Sequence, residues 1–112
     1  MPNTTENLEN ISQEMHRGLI MLAVLSQLGK QQYGYALLKL LAERGLAVDQ
    51  GTLYPLLRRL EAQGLLESAW NVEEARPRRY YVISSQGKKL LPQLKSEWDS
   101  MVTAMGKLLK NS

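Results

Sequence analysis

The residues with most chemistry to offer lie in one stretch, Val48 to Leu66, VDQGTLYPLLRRLEAQGLL. Leu53, Leu56, Leu57 and Leu60 recur at i, i+3, i+4 and i+7, the spacing of one buried helical face. At about 100° per residue the opposite side carries Gly51, Pro55, Arg58 and Ala62, with Tyr54 and Arg59 on its flanks. That outward face is small, aromatic and basic, so it suits insertion into a groove rather than bond making or breaking. Asp49 can cap the start of the helix and Gly64 can close its end. A second basic cluster, Arg76, Arg78 and Arg79, follows beside Tyr80 and Tyr81.

Other chemistries are poorly supplied. There is one histidine, no cysteine, no glycine-rich phosphate loop, and no pair of carboxylates on a shared face other than charged surface positions. An enzyme is the least expected class, and nothing calls for a cofactor. His16 stands without other ligand types at metal spacing, which favours a structural role and no metal site. The absence of cysteine suits a reducing cytoplasm. The N-terminus is polar and acidic, and no apolar run reaches the ~20 residues of a membrane span, so a cytoplasmic protein without a membrane partner is expected. Net charge is +3 and the pI about 9.3, which permits nucleic acid without proving it. Between Gln50 and Lys95, eight basic residues face four acidic ones, a balance of +4, so this part holds the whole net charge and one unit more.

The elements that must position these residues follow from periodicity. At 112 residues and 44% hydrophobic content, the chain is one domain (1–112) with a core but little to spare. Met1 to Glu9 is polar and reads as frayed; a helix runs from Asn10 to Gly29, with Ile11, Met15, Leu19, Leu22 and Val24 to Leu25 on one broad face. Leu19 to Leu25 is apolar all round, which asks for cover on more than one side and implies a partner chain. Lys30 to Gln32 reads as a short polar turn, Tyr33 to Arg44 as a second helix with Leu37, Leu38 and Leu41 inward, and Leu46 to Val48 as the link to the basic helix. Two helices, a tight connection and a third helix with a basic outer face are the layout of a helix-turn-helix. Past Gly64, Leu66 to Val72 and Arg78 to Ile83 alternate as a two-stranded hairpin around the loop Glu73 to Pro77, a wing with arginines near its tip. Alternation puts Arg79, Tyr81 and Ile83 on one face and Arg78, Tyr80 and Val82 on the other, so one tyrosine belongs to the core.

The last segment, capped by Ser84 or Ser85, carries Leu91, Leu94, Trp98, Met101, Met105 and Leu108 at steps of 3, 4, 3, 4 and 3, a coiled-coil seam widened by Val102 and Leu109. Such a seam asks for another helix, and a second copy of the chain can supply it. Pro92 lies inside the pattern and predicts a bend, or a helix that starts near it. The expected fold is mainly α with a small β-hairpin: a winged helix-turn-helix in the order α-α-α-β-β-α over 10–83, then a long C-terminal dimerisation helix over 84–110.

GTLYPLLRRLEAQGLL, RRYYVIS and the following QGKKLL together resemble the PadR family of bacterial transcription regulators, over roughly Met15 to Leu91. The single terminal helix fits that family's short subgroup. The resemblance implies a winged-helix homodimer, usually a repressor, cytoplasmic and nucleoid-associated, released from its operator by a small molecule or changed conditions. Gly51, Thr52, Leu53 and Tyr54 match the start of the family's recognition helix, and Arg78, Arg79, Tyr80 and Tyr81 its wing strand. Ser84 stands where threonine is more usual, which keeps the capping hydroxyl, whereas the loop Glu73 to Pro77 matches nothing closely.

On that reading the DNA-contacting set is Gln50, Gly51, Thr52, Tyr54, Pro55, Arg58, Arg59, Arg76, Arg78 and Arg79. Gln50, Thr52 and Tyr54 face base edges and nearby phosphates, Gly51 lets the backbone approach, Arg58 reaches a phosphate or a guanine, and the wing arginines track the backbone. A dimer places two such helices about 34 Å apart on a pseudo-palindromic operator. Leu91, Leu94, Trp98, Met101, Val102, Met105 and Leu108 form the dimer interface. Trp98 and its mate can sandwich a small aromatic effector walled by Met101, Met105, Met15 and Leu19, or Trp98 can simply pack. The alternatives for the basic residues are solvation of an exposed helix face by Arg58 and Arg59, and core packing by Tyr54 and Tyr81. A winged helix used only to bind protein, or a DNA-binding regulator without a ligand, would carry much the same pattern.

Overall fold

A computed structural model describes residues 3–73 and 75–111; Glu74 of the expected wing loop, and Met1 and Pro2 of the expected frayed end, lie outside the described residues. The order is α1 (Thr4–Gln27), β1 (Gln32–Tyr33), α2 (Gly34–Glu43), α3 (Gln50–Ala62), β2 (Leu66–Asn71), β3 (Arg78–Ile83) and α4 (Ser85–Leu109). This is a mainly helical winged helix with a long C-terminal helix, as the periodicity requires.

Two details differ from the sequence reading, and a third decides between two starts it left open for the last helix. The first helix begins six residues earlier than Asn10, because the Asn3 side chain accepts the Glu6 N–H at 2.8 Å and satisfies a first-turn donor. The expected turn Lys30 to Gln32 contributes a residue to β1, where Gln32 pairs with Tyr81 and Tyr33 with Tyr80, so the sheet has three antiparallel strands in the order β1-β3-β2 rather than two. Two residues are too few to show an alternation; β1 forms because β3 offers a free edge. The last helix starts at the Ser84 cap and continues through Pro92, so it does not begin near the proline. The carbonyl left without its donor belongs to exposed Lys88, where water can reach it.

The core is built around α3. Leu53, Leu56, Leu57 and Leu60 are all buried, against Val24, Leu25 and Leu28 from the α1 end, Leu37 and Leu41 of α2, and Leu66, Tyr81 and Ile83 of the sheet. At the junction of α3, β2 and α4, Ser84 is buried: its hydroxyl donates to the Gly64 carbonyl at 2.6 Å and accepts the Gly87 N–H at 3.0 Å. Gly87 lies so close to the chain here that a β-carbon would overlap the Leu65 carbonyl oxygen and come within 2.7 Å of Ile83 Cγ1. The first turns of α4 are therefore clamped to the domain, and Leu90, Leu91 and Leu94 pack on its core. Beyond them the helix leaves the domain. Trp98, Met101, Val102, Met105, Leu108 and Leu109 are exposed, as are Leu8, Ile11 and Met15 on the first half of α1.

Candidate nucleic-acid interface

Burial of the leucine face of α3 forces its other residues outward. Asp49 caps the helix by accepting the Thr52 N–H at 3.1 Å, which orders the first turn. Gln50, Gly51, Thr52, Pro55, Arg58 and Arg59 are exposed, while Tyr54 is half-buried. Tyr54, Arg58 and Glu61 follow one flank of the helix at i, i+4 and i+7, and that flank faces the wing. Between them lies an open cleft of about 1050 Å³, lined also by Tyr33, Gly34 and Tyr35 and by Trp70, Arg76, Arg78, Arg79 and Tyr81. Arg59 lies on the other flank and outside this cleft.

The wing separates its residues as its alternation requires. Leu66, Ser68 and Trp70 of β2 oppose Ile83, Tyr81 and Arg79 of β3. Along this face the pairs pass from core to rim: Leu66, Ile83 and Tyr81 are buried, while Trp70 and Arg79 are exposed. Tyr81 is thus the core tyrosine. On the other face, Tyr80 meets Tyr33 edge-on, with ring centroids 5.6 Å apart, and the Arg78 guanidinium stands 4.3 Å from the centre of the Tyr33 ring.

Among the described residues Arg58, Arg59 and Arg76 form no ion pair within the chain, so their charge faces outward. Arg79 differs. Its Nη2 donates to Glu61 Oε1 at 3.1 Å and its Nε to Ser68 Oγ at 2.9 Å, while the Ser68 hydroxyl donates to Glu61 Oε2. The periodicity did not single out Glu61, Ser68, Tyr33, Tyr35 or Gly34. The available signal was position: Glu61 lies two turns on from Tyr54 along the same flank. His16 Nδ1 donates to the Ser12 carbonyl at 2.7 Å, which occupies it within α1. No group of residues able to hold a metal occurs among the described residues.

The residues expected at an effector site are not gathered into an enclosed cavity within one chain. Trp98, Met101 and Met105 line the outer face of α4, Met15 is exposed on α1, and Leu19 is half-buried. Leu91 and Leu94, expected in the dimer seam, pack on the chain's own core. No described helix is long and apolar enough to cross a membrane.

The chain matches the model of the transcriptional regulator PadR-like family over residues 21–93. It is 37% identical over 81 residues to Transcriptional regulator Rv3488 of Mycobacterium tuberculosis, an alignment that covers 71% of this chain and 76% of that one. The crystal structure of a PadR family transcriptional regulator from Eggerthella lenta superposes with a TM-score of 0.87 at 40% identity, covering 96% of each chain. A transcriptional regulator from Clostridium thermocellum superposes at 0.76 with 30% identity, over 84% of this chain and 96% of that one. From the winged-helix fold, the match over residues 21–93 and the near full-length superposition, this chain belongs to the PadR-like family of transcriptional regulators.

Proposed function

We propose that the protein is a cytoplasmic homodimeric repressor that reads a pseudo-palindromic duplex operator and leaves it when a small aromatic or hydrophobic molecule binds. The observation that carries the DNA reading is the outward charge of Arg58 and Arg59 on α3 and of Arg76 on the wing, which meets no counter-charge among the described residues. Residues 10–83 bind DNA and residues 84–110 pair the chains. The N-terminal half of α3 enters the major groove, with Gln50, Gly51, Thr52, Tyr54 and Pro55 towards base edges and nearby phosphates, and with Arg58 and Arg59 reaching a guanine or the backbone. Arg76 and Arg78 follow the backbone from the wing, and Arg79 joins that surface in the way argued below.

Pairing is supported by the apolar side chains left uncovered on α4 and on the first half of α1. A two-fold seam brings Trp98 near its mate and walls the space with Met101, Met105, Met15 and Leu19, which suits a flat apolar effector. The test is an anisotropy titration of the protein with the duplex upstream of its own gene and with a scrambled duplex, each at several salt concentrations. A preference of at least about 10³ for the former, falling steeply with salt, is expected. Equal affinity for both would remove sequence-specific reading, and no duplex binding at low salt would remove the DNA role.

A further inference from the structure

We propose that Glu61 is a positioning residue that holds the wing against the recognition helix through Arg79, and that Arg79 serves DNA binding through this contact rather than by touching a phosphate. The inference rests on the DNA-binding reading above. One carboxylate on α3 uses both its oxygens on the wing: Oε1 takes the Arg79 Nη2–H on β3 and Oε2 the Ser68 hydroxyl on β2. Arg79 Nε closes the triangle on Ser68 Oγ at 2.9 Å. The guanidinium also lies 5.7 Å from the Trp70 ring centre and 5.9 Å from that of Tyr81. Its Nε and Nη2 donors, one of the two edges by which a guanidinium forks onto a phosphate, are already engaged.

Charge gives the second line of argument. Among the described residues lining the cleft, Glu61 is the one acid beside Arg58, Arg76, Arg78 and Arg79. A carboxylate there lowers the positive potential that approaching DNA meets, so steering cannot be its contribution. What it supplies is geometry. The wing is joined in sequence to α3 only at the inner end of β2, through Gln63 to Leu65, whereas Glu61 grips the sheet further out, at Ser68 and Arg79. The pair is partly exposed, so its share of global stability is small, and variants of it should fold.

The experiment compares Glu61→Gln, Arg79→Lys, Arg79→Gln and the double variant Glu61→Gln/Arg79→Gln with the wild type. Duplex affinity is measured at several salt concentrations, and acrylamide quenching of Trp70 is measured in the free protein in a Trp98→Phe background that leaves one tryptophan. Glu61→Gln should weaken binding by about five- to tenfold although it removes a negative charge, with the double variant no weaker than either single one. Arg79→Lys should weaken binding similarly although it keeps the charge, salt slopes should match the wild type, and Trp70 should become more accessible in every variant. Tighter binding by Glu61→Gln would overturn the proposal. So would wild-type affinity in Arg79→Lys with a salt slope lower by about 0.9 in Arg79→Gln, the mark of a lost phosphate contact. Should Glu61→Gln fold poorly, Ser68→Ala removes only the third corner and should weaken binding about two- to threefold; unchanged affinity there also overturns it. If the wild type binds no duplex, the DNA reading fails, and Trp70 accessibility still decides whether Glu61 holds the wing.

Discussion

The ring of Tyr54 lies on Gly34 so closely that a β-carbon at Gly34 would overlap the ring edge at Cε1. Gly34 is the first residue of α2 and Tyr54 stands in the second turn of α3, so this contact sets how near the two helices of the helix-turn-helix come. It also fixes the side chain that opens the cleft between recognition helix and wing.

Gly34→Ala should therefore push Tyr54 out of place. Overpacking costs about 1–3 kcal/mol in a core, and the half-buried ring can yield, so a loss near 1 kcal/mol is expected, together with weaker duplex binding. Thermal unfolding in wild-type and Tyr54→Ala backgrounds checks the cause. A cost that persists once the ring is gone would show that something other than Tyr54 excludes the β-carbon.

Arg58→Ala should weaken operator binding by about 1–3 kcal/mol if the side chain reads a guanine, with reduced discrimination against a scrambled duplex. Equal weakening on both duplexes, with a salt slope lower by about 0.9, would make Arg58 a phosphate contact instead. Unfolding should be little changed in either case, since the side chain is exposed and has no ion pair among the described residues.

Ser84→Ala removes a helix cap and a buried donor together. The cap is worth about 0.5–2 kcal/mol, and the Gly64 carbonyl loses its 2.6 Å partner, so a loss of about 2 kcal/mol in urea unfolding with an unchanged slope is expected. Ser84→Thr should recover most of it, because the hydroxyl does both jobs. A Thr variant as unstable as Ala would mean that the site has no room for the extra methyl, and that tight packing outweighs the cap.

What could be read from the chain alone was whatever repeats or caps locally. The α3 leucines, the Asp49 and Ser84 caps and the alternation of β3 each declare themselves within a few residues, and all lie where periodicity puts them. The early start of α1 depended on one side chain, Asn3, reaching one N–H. β1 was illegible because two residues carry no period; its existence depends on the far edge of β3, nearly 50 positions away in sequence. The same holds for the candidate site. The exposed arginines follow from helix and strand geometry, whereas the Glu61, Ser68 and Arg79 triangle and the Tyr54 contact with Gly34 join residues from different elements.

Met101→Asp decides what the outer half of α4 is for. In one chain Met101 is 55% exposed and Leu108 66%, and a polar substitution at a solvated helix position would cost within about 0.5 kcal/mol. Buried in a two-fold seam, the same change sets a carboxylate beside its own mate in apolar surroundings, where both desolvation and like-charge repulsion oppose pairing. Sedimentation at micromolar concentration should then show a dimer for the wild type and a monomer for Met101→Asp. DNA affinity should fall as well, because two half-sites can no longer be held by one particle. Trp98→Phe separates the effector from the seam: it keeps an apolar ring and should leave the dimer intact, yet remove saturable quenching by planar aromatic compounds. A Met101→Asp protein that remains dimeric would place the pairing surface elsewhere, with the exposed Leu8, Ile11 and Met15 stripe of α1 the next to substitute.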